Sequence, residues 1–237
     1  MGMDTASREP RHSSPTARWR ISSSYLRSRM RRRATHGGVT AFLVERGTQG
    51  FLVTQRFEKM GLRTSPLGER VFDDVRVPAD AVLGGLGGGA SIFTHAMDWE
   101  RICLFASYVG TMDRLLEKSI GHARTRIQFG QAIGKFQAVA HRIVDMKVAL
   151  EAVRLLTYRA ASRLGRTRTA SMDAAMAKLF VSESLVKTAL DAVQIHGGYG
   201  YMTEYEIERA LRDATGDTIY SGTSEMQRNI IARWLGL

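Results

Sequence analysis

The chain has 237 residues, of which 44% are hydrophobic and 24% are charged, as is typical of a globular protein. It contains no apolar run of the roughly 20 residues that a membrane-spanning helix needs, so no membrane partner is expected. Cys103 is the single cysteine, which excludes an internal disulfide and fits a cytoplasmic location. The net charge of +11 suggests nucleic acid at first sight, but the distribution of the charge does not.

Most of the excess positive charge lies in residues 1–36, which hold nine arginines against Asp4 and Glu9. The segment is rich in Arg and Ser and has no apolar period, so it is expected to be disordered in isolation. It also lacks the apolar stretch of a secretory signal. A basic arm for nucleic acid and an organelle transit peptide stay open as alternatives. The favoured interpretation is a start that is not native to the chain, with no nucleic-acid partner.

Residues 37–86 have the pattern of a small β-sheet. Short runs at 38–44 and 51–55 are rich in β-branched and aromatic residues, and 69–78 alternates apolar with polar residues until Pro78. This pattern predicts at most three strands. Because so few strands cannot bury two faces by themselves, residues 37–86 are expected to be a partial β-domain.

A glycine-rich stretch, 84-GGLGGGA-90, follows the predicted strands. From Gly85 it matches G-x-G-x-x-A, a pattern that occurs in dinucleotide-binding folds. No buried strand precedes the match and no βαβ unit follows it, so it does not indicate a nucleotide site. It is interpreted as a flexible linker into a helix.

The remaining residues, 87–237, are predicted to form an antiparallel helical bundle. One helix runs from about 90 to 123, and a second carries apolar side chains at helical spacing between 139 and 153. A third runs from about 171 to 195 and ends at the glycines of 197-GGYG-200. Long helices with short connections favour antiparallel neighbours. The fold class is therefore mainly α, with the bundle preceded by a fragment of a β-domain.

Two capping boxes are predicted at the starts of the shorter helices. Thr203 with Glu206 would begin a fourth helix, and Ser224 with Gln227 would begin the last one. The six histidines show no metal-ligand spacing, so no metal site is expected.

Four segments share an order and a set of separations that are specific to one family. They are 126-RIQFG-130, 194-QIHGGYGY-201, 208-ERALRDA-214 and 219-IYSGTSEMQR-228. Together they resemble the C-terminal half of the flavin-dependent acyl-CoA dehydrogenases, and the resemblance covers roughly residues 37–237. The stretches 97-MDWERICLFASYVG-110 and 225-EMQRNIIARWLGL-237 are most similar to biosynthetic members, some of which oxidise acyl or aminoacyl groups on carrier proteins.

The resemblance implies an FAD-dependent enzyme that oxidises an acyl thioester of coenzyme A or of a carrier protein to its α,β-unsaturated form. A carboxylate would remove the α-proton while the flavin accepts a hydride from the β-carbon. An electron-accepting flavoprotein and a homo-oligomer, either tetramer or dimer, are implied as well. Family members also have an N-terminal helical domain, which is expected to be missing here. The alternative is a truncated, non-catalytic helical subunit that associates with a full-length homologue.

The resemblance places the catalytic carboxylate at Glu100. Most family members carry a glutamate immediately before the Gly-Thr pair of the last loop, and that position is Ser221 here. One branch carries it on the first long helix of the C-terminal domain, at the position that Glu100 matches. Without the resemblance, Asp98 and Arg101 indicate only an ordinary i,i+3 ion pair. With it, substrate binding is expected at Asp98, Arg101, Tyr220 and Ser221.

The flavin contacts are implied in the same way. Arg126 matches the residue that meets the FAD pyrophosphate, often across a subunit boundary, and a guanidinium suits phosphate because it donates paired hydrogen bonds. The other matching cofactor positions are Gln128, Phe129, Gln137, Gln194, Gly197, Gly198, Thr223 and Glu225. The alternatives are a solvated surface arginine at position 126 and a plain helix stop at the glycines.

Overall fold

The computed structural model of the protein describes residues 6–7, 18–21 and 38–237. Residues 1–36 were expected to be disordered and not native to the chain, and most of them lie outside the described residues. The described ones, 6–7 and 18–21, form strands. Contacts divide the chain into two units. One comprises the described residues up to Lys59 together with Arg63–Ala96, and the other comprises Met60–Leu62 and Met97–Leu237.

The first unit is built from short antiparallel strands. In chain order they are β1 (Ala6–Ser7), β2 (Arg18–Ile21), β3 (Ala41–Phe42), β4 (Phe51–Phe57), β5 (Leu67–Phe72), β6 (Val75–Pro78) and β7 (Val82–Leu83). β1, β2 and β6 form one sheet in that order, with Trp19 paired with Val77 and Ile21 with Val75. β3 pairs with β7, and β4 pairs with β5.

The expectation of at most three strands is wrong, and residues 69–78 show why. This stretch contains most of β5 and all of β6, which belong to different sheets. The chain turns between them at Asp74, which has a positive φ of 48°. Apolar residues alternate on both sides of the turn, so the sequence pattern does not reveal the break. Val75 and Val77 of β6 form the buried core of this unit.

The second unit is helical, and the first turns of its longest helix, up to Ala96, belong to the first unit. The helices are α1 (Gly89–Thr125), α2 (Gln137–Arg163), α3 (Ala170–His196), α4 (Gly198–Tyr201), α5 (Ile207–Asp217) and α6 (Ser224–Leu235). A short hairpin of β8 (Ile127–Gln128) and β9 (Gln131–Ala132) follows α1. The mainly α fold is confirmed, as are the three long helices. Among the described residues, no helix combines the length and the apolar character that crossing a membrane would require.

The core of the helical unit packs α1, α3 and α5 against one another. Phe105 and Met112 of α1, Leu150 of α2, and Val181 and Leu185 of α3 are almost completely buried in one cluster. The spacings of seven and four residues place the side chains of each helix on one face. Burying a side chain of this size contributes roughly 1.5–3 kcal/mol. Because small residues of α5 join the same cluster, the loop that follows α5 is held close to α1.

Neither predicted capping box forms. α5 begins directly after Glu206, which has a φ of 60°, and Thr203 lies in a short 3-10 turn. α6 is capped by Thr223, whose side chain accepts a hydrogen bond from the backbone N–H of Met226. Ser224, the predicted cap, is the first helical residue and is buried. The sequence places two good cap residues side by side, and the loop geometry selects the first.

Candidate functional site

The carboxyl group of Glu100 meets the loop between α5 and α6. Glu100 lies on α1 and is half-buried, and its Oε1 accepts a hydrogen bond of 2.5 Å from the hydroxyl group of Ser221. Ser221 and Gly222 both have positive φ angles, 55° and 88°, so the loop turns sharply at this point. The structure therefore brings the expected base into direct contact with the loop position where most members of the resembled family carry their carboxylate.

Asp98 and Arg101 hold the same loop from α1. The Arg101 guanidinium pairs with Asp98 at 3.2 Å, and its Nε donates a hydrogen bond of 3.3 Å to the backbone carbonyl of Ser221. Ser171 of α3 donates to the second Asp98 oxygen. Burial lowers the pKa of Arg101, and the neighbouring Asp98 opposes that shift. The i,i+3 ion pair is thus present, but it is buried and supports the loop.

Gln227 is a residue of this site for which the sequence suggested only a capping role. Its side chain is fully buried, and Nε2 donates to the carbonyl groups of Ser221 at 3.2 Å and Gly222 at 2.8 Å. A β-carbon at Gly222 would lie 2.8 Å from that nitrogen. The loop therefore fits closely around the Gln227 amide, and only glycine fits at position 222 without displacing it.

The hydroxyl group of Tyr220 is hydrogen-bonded within the protein. It donates to the carboxylate of Asp217 and shares a hydrogen bond with Tyr108 of α1. Burial raises the pKa of Asp217 to about 7, while the neighbouring tyrosine hydroxyl groups and the charge of Lys178 oppose the shift. Burial also raises the pKa of Tyr108. The sequence motifs included both tyrosines but assigned a role only to Tyr220, and they gave no signal for Asp217 or Lys178.

A second group of expected site residues lines a cavity of about 800 Å³. The end of α1, the β8–β9 hairpin and the junction of α3 with α4 line it. The expected cofactor residues on its wall are Arg126, Gln128, Gly197 and Gly198. The volume lies within the usual range of small-molecule sites. Gly197 has a φ of 59° and ends α3, and it also lines the cavity. One residue therefore serves as both helix stop and cavity wall.

Aromatic side chains surround Arg126 in this cavity. Its guanidinium lies 5.5 Å from the ring centroid of Tyr199, and the rings of His122 and His196 stack with centroids 4.5 Å apart. Burial lowers the pKa of both histidines, and the charge of Arg126 adds to the shift at His122. The pKa values of both imidazoles therefore lie below their ordinary value. A guanidinium, glycine backbone and aromatic rings together suit a nucleotide-like ligand that carries phosphate.

The other expected cofactor residues lie elsewhere. Phe129 is 93% exposed, and Gln137 and Gln194 are also exposed and outside the cavity wall. Thr223 and Glu225 lie at the N-terminus of α6, next to the Ser221 loop. Hydrogen bonds from its own backbone N–H and with Thr223 lower the pKa of Glu225. Among the described residues, no group of three or more His, Cys, Asp or Glu side chains could hold a metal ion.

Comparisons with known proteins match this arrangement to one family. Residues 87–236 match the family model of the acyl-CoA dehydrogenase C-terminal domain. The L-prolyl-[peptidyl-carrier protein] dehydrogenase of Pseudomonas fluorescens is 48% identical over 200 residues, which are 84% of this chain and 53% of that protein. An acyl-CoA dehydrogenase of Bacillus subtilis is 42% identical over 198 residues, which are 84% of this chain and 52% of that protein.

Solved structures agree with the sequence comparisons. A structure of PigA with FAD and proline superposes with a TM-score of 0.82 at 44% sequence identity, over 84% of this chain and 52% of that one. The chain spans about half the length of the curated relatives it matches.

Proposed function

Because the chain belongs to the acyl-CoA dehydrogenase family, we propose that it serves the FAD-dependent α,β-desaturation of an acyl thioester, with Glu100 as the base. The observation that carries this proposal is the 2.5 Å hydrogen bond from Ser221 Oγ to Glu100 Oε1. It supports a carboxylate that reaches the reaction centre from α1 rather than from the last loop. A serine hydroxyl group is too weakly basic to take the α-proton itself.

The two carboxylate oxygens of Glu100 have different tasks in this proposal. Oε1 accepts the hydrogen bond from Ser221, which fixes the plane of the carboxylate. Oε2 accepts the α-proton of the substrate. Arg101 and Gln227 hold the Ser221 backbone, so the hydroxyl group that orients Glu100 stays in place. FAD, when bound, accepts the hydride that leaves the β-carbon.

The residues that would hold FAD are those of the cavity. Arg126 would bind the pyrophosphate through paired hydrogen bonds, with Gln128 beside it. Gly197 and Gly198 would let the backbone approach the cofactor closely.

Two further groups complete the set of cofactor residues. Thr223 and Glu225 stand at a helix N-terminus, where backbone N–H groups favour phosphate or other anions. Phe129, Gln137 and Gln194 are exposed, and they would face the FAD of a neighbouring subunit in a homodimer or homotetramer.

The substrate would be a thioester carried on the pantetheine arm of coenzyme A or of a carrier protein. The relative that acts on a prolyl-carrier protein is 48% identical and the acyl-CoA dehydrogenase is 42% identical, which supports an aminoacyl group on a carrier protein. The contacts proposed for the substrate are with Asp98, Arg101, Tyr220 and Ser221. An electron-accepting flavoprotein in the cytoplasm would reoxidise the flavin.

The substitution Glu100→Gln tests the proposed base. The FAD-loaded protein is mixed without oxygen with a prolyl-carrier protein, or with butyryl-coenzyme A, and the loss of flavin absorbance is followed. We expect flavin reduction to slow by about 10²–10⁴-fold, the usual contribution of a general base, while FAD stays bound. The matched control is Glu117→Gln, which changes an exposed glutamate of the same helix and should keep the wild-type rate.

Two results would count against the proposal in different ways. Flavin reduction at the wild-type rate in Glu100→Gln would show that another group removes the proton. A wild-type chain that does not bind FAD would favour the alternative, a non-catalytic helical subunit that associates with a full-length homologue.

A further inference from the structure

A lysine and an aspartate are buried close to the Ser221 loop. Lys178 of α3 has no exposed surface, and Asp217, the last residue of α5, is 1% exposed. Within the described part of the chain, Lys178 Nζ and Asp217 Oδ2 have no hydrogen-bond partner. Buried charged groups are rare and costly unless they are paired. Two opposite charges in this position therefore indicate a task other than packing.

The Asp217 carboxylate is linked to α1 through two tyrosines. Its Oδ1 accepts the hydrogen bond from Tyr220, and the Tyr220 hydroxyl group is hydrogen-bonded in turn to Tyr108. The ring of Phe105 lies against this chain, with its centroid 5.2 Å from that of Tyr108 and 6.2 Å from that of Tyr220. Lys178 Nζ lies 5.5 Å from the same ring centroid. These five side chains form one cluster, in which the two tyrosines are partly buried and the other three are fully buried, and we call it the Asp217 cluster.

The Asp217 cluster holds the start of the Ser221 loop, and Gln227 holds the two residues that follow. Tyr220 directly precedes Ser221, so the position of its ring fixes where the Ser221 backbone begins. Gln227 then holds the carbonyl groups of Ser221 and Gly222. The Ser221 hydroxyl group is the contact through which this arrangement reaches Glu100.

We propose that Asp217 and Lys178 are positioning residues, which fix the Ser221 loop through Tyr220 and Tyr108 and thereby orient the Glu100 carboxylate. The value of that orientation to catalysis rests on the proposed function of Glu100. The positioning itself is a property of the folded chain. It does not require substrate or turnover.

The protonation of the cluster changes close to neutral pH. Burial is the largest influence on both groups: it raises the pKa of Asp217 to about 7 and lowers the pKa of Lys178 to about 8. The other charged groups that act on the pair are Arg101, Glu183, Asp213 and Glu225. An ionised carboxylate is a stronger hydrogen-bond acceptor than a protonated one, so ionisation of Asp217 strengthens the hydrogen bond from Tyr220 and with it the hold on the loop.

The test is a pH titration of the Glu100 carboxyl carbon by NMR in the full chain labelled with ¹³C-glutamate. The Glu100 signal is identified by its absence in Glu100→Gln. In the wild-type protein we expect the Glu100 signal to show a second inflection near pH 7, where Asp217 titrates. Asp217→Asn should remove this inflection, and the amide oxygen can still accept the Tyr220 hydrogen bond, so the fold is kept. Tyr220→Phe should also remove it, although Asp217 itself still titrates.

The matched control is Asp191→Asn. Asp191 is a buried carboxylate on α3 that pairs with Arg142 and Lys187, away from the loop, so the Glu100 inflection should persist. If Asp217→Asn alters the fold by circular dichroism, the double variant Asp217→Asn/Lys178→Met replaces it, because it leaves no buried charge unpaired. A wild-type Glu100 signal without the second inflection would overturn the proposal, and so would its persistence in Tyr220→Phe.

This experiment separates the two proposals. A Glu100 signal that follows Asp217 supports positioning even if Glu100→Gln reduces flavin at the wild-type rate. Conversely, the Glu100 signal could show no inflection near pH 7 while Glu100→Gln reduces flavin slowly. That result would support Glu100 as the base and overturn the positioning role of Asp217 and Lys178.

Discussion

Replacing Gly222 by alanine perturbs the point where the loop packs against Gln227. Gly222 has a φ of 88°, and Gly165, in the connection between α2 and α3, has a φ of 70°. A β-carbon at Gly222 would lie 2.8 Å from Gln227 Nε2, whereas a β-carbon at Gly165 would have no heavy atom within 4 Å. Gly165→Ala is therefore a matched control that also puts an alanine at a positive φ but without the close contact.

The expected magnitude follows from two contributions. An alanine in the left-handed region costs roughly 1–2 kcal/mol, and both variants share this cost. In Gly222→Ala the Gln227 amide must also move away from the two carbonyl groups it binds. A buried polar group that loses its partners costs roughly 1–3 kcal/mol more. We therefore expect Gly222→Ala to lower the free energy of unfolding by about 2–5 kcal/mol and Gly165→Ala by about 1–2 kcal/mol.

Urea-induced unfolding, followed by circular dichroism and extrapolated to water, measures both values. Equal losses in the two variants, within about 0.5 kcal/mol, would refute the close packing of Gln227 against the loop. A larger loss in Gly165→Ala would refute it as well.

Three further predictions concern the core, the cavity and the buried charges. Leu150→Ala should cost roughly 2–5 kcal/mol in urea unfolding because its side chain is fully buried, whereas Leu155→Ala, 70% exposed, should cost less than about 0.5 kcal/mol. Arg126→Ala should weaken FAD binding, measured by quenching of flavin fluorescence, by about 10- to 100-fold, since a charge-assisted hydrogen bond contributes roughly 1.5–3 kcal/mol. The pKa of Asp217 is raised from 3.8 to about 7, so its contribution to the free energy of unfolding is full below pH 3.8 and is lost as pH rises through 7. The pKa of Lys178 is lowered from 10.5 to about 8, so its contribution is full above pH 10.5 and is lost as pH falls through 8. Urea unfolding across this pH range should show both trends in the wild-type protein and neither in the double variant Asp217→Asn/Lys178→Met.

The sequence alone predicts the helical part of the fold well. The apolar spacing along α2 and the glycines that end α3 are local signals. The predicted ends of α3 agree with the structure to within a few residues, and the apolar spacing identifies the central turns of α2. The strands were predicted less well. Asp74 turns the chain between β5 and β6 with a positive φ, and a stretch of alternating apolar residues does not show where such a turn falls.

In the candidate site, too, some residues can be predicted from the sequence and others cannot. Glu100 and Ser221 could be paired in advance because both lie in motifs that resemble a known family, and the structure places them in contact. Asp217 and Lys178 could not be found in this way, since charged residues on helices are usually at the surface and their burial depends on how α3 and α5 pack. For Gln227 the sequence indicates only a capping role, because it does not show that the side chain turns back to the loop.

Moving the carboxylate from α1 to the loop tests most directly whether a glutamate at position 221 can replace Glu100 as the base. The measurement is the rate of anaerobic flavin reduction in the FAD-loaded wild-type protein, in Glu100→Gln and in Glu100→Gln/Ser221→Glu. Because Ser221 Oγ lies 2.5 Å from Glu100 Oε1, we predict that Glu100→Gln slows flavin reduction by about 10²–10⁴-fold and that the double variant reduces flavin faster than Glu100→Gln alone. A double variant that binds FAD and is no faster than Glu100→Gln would contradict a shared position for the two carboxylates.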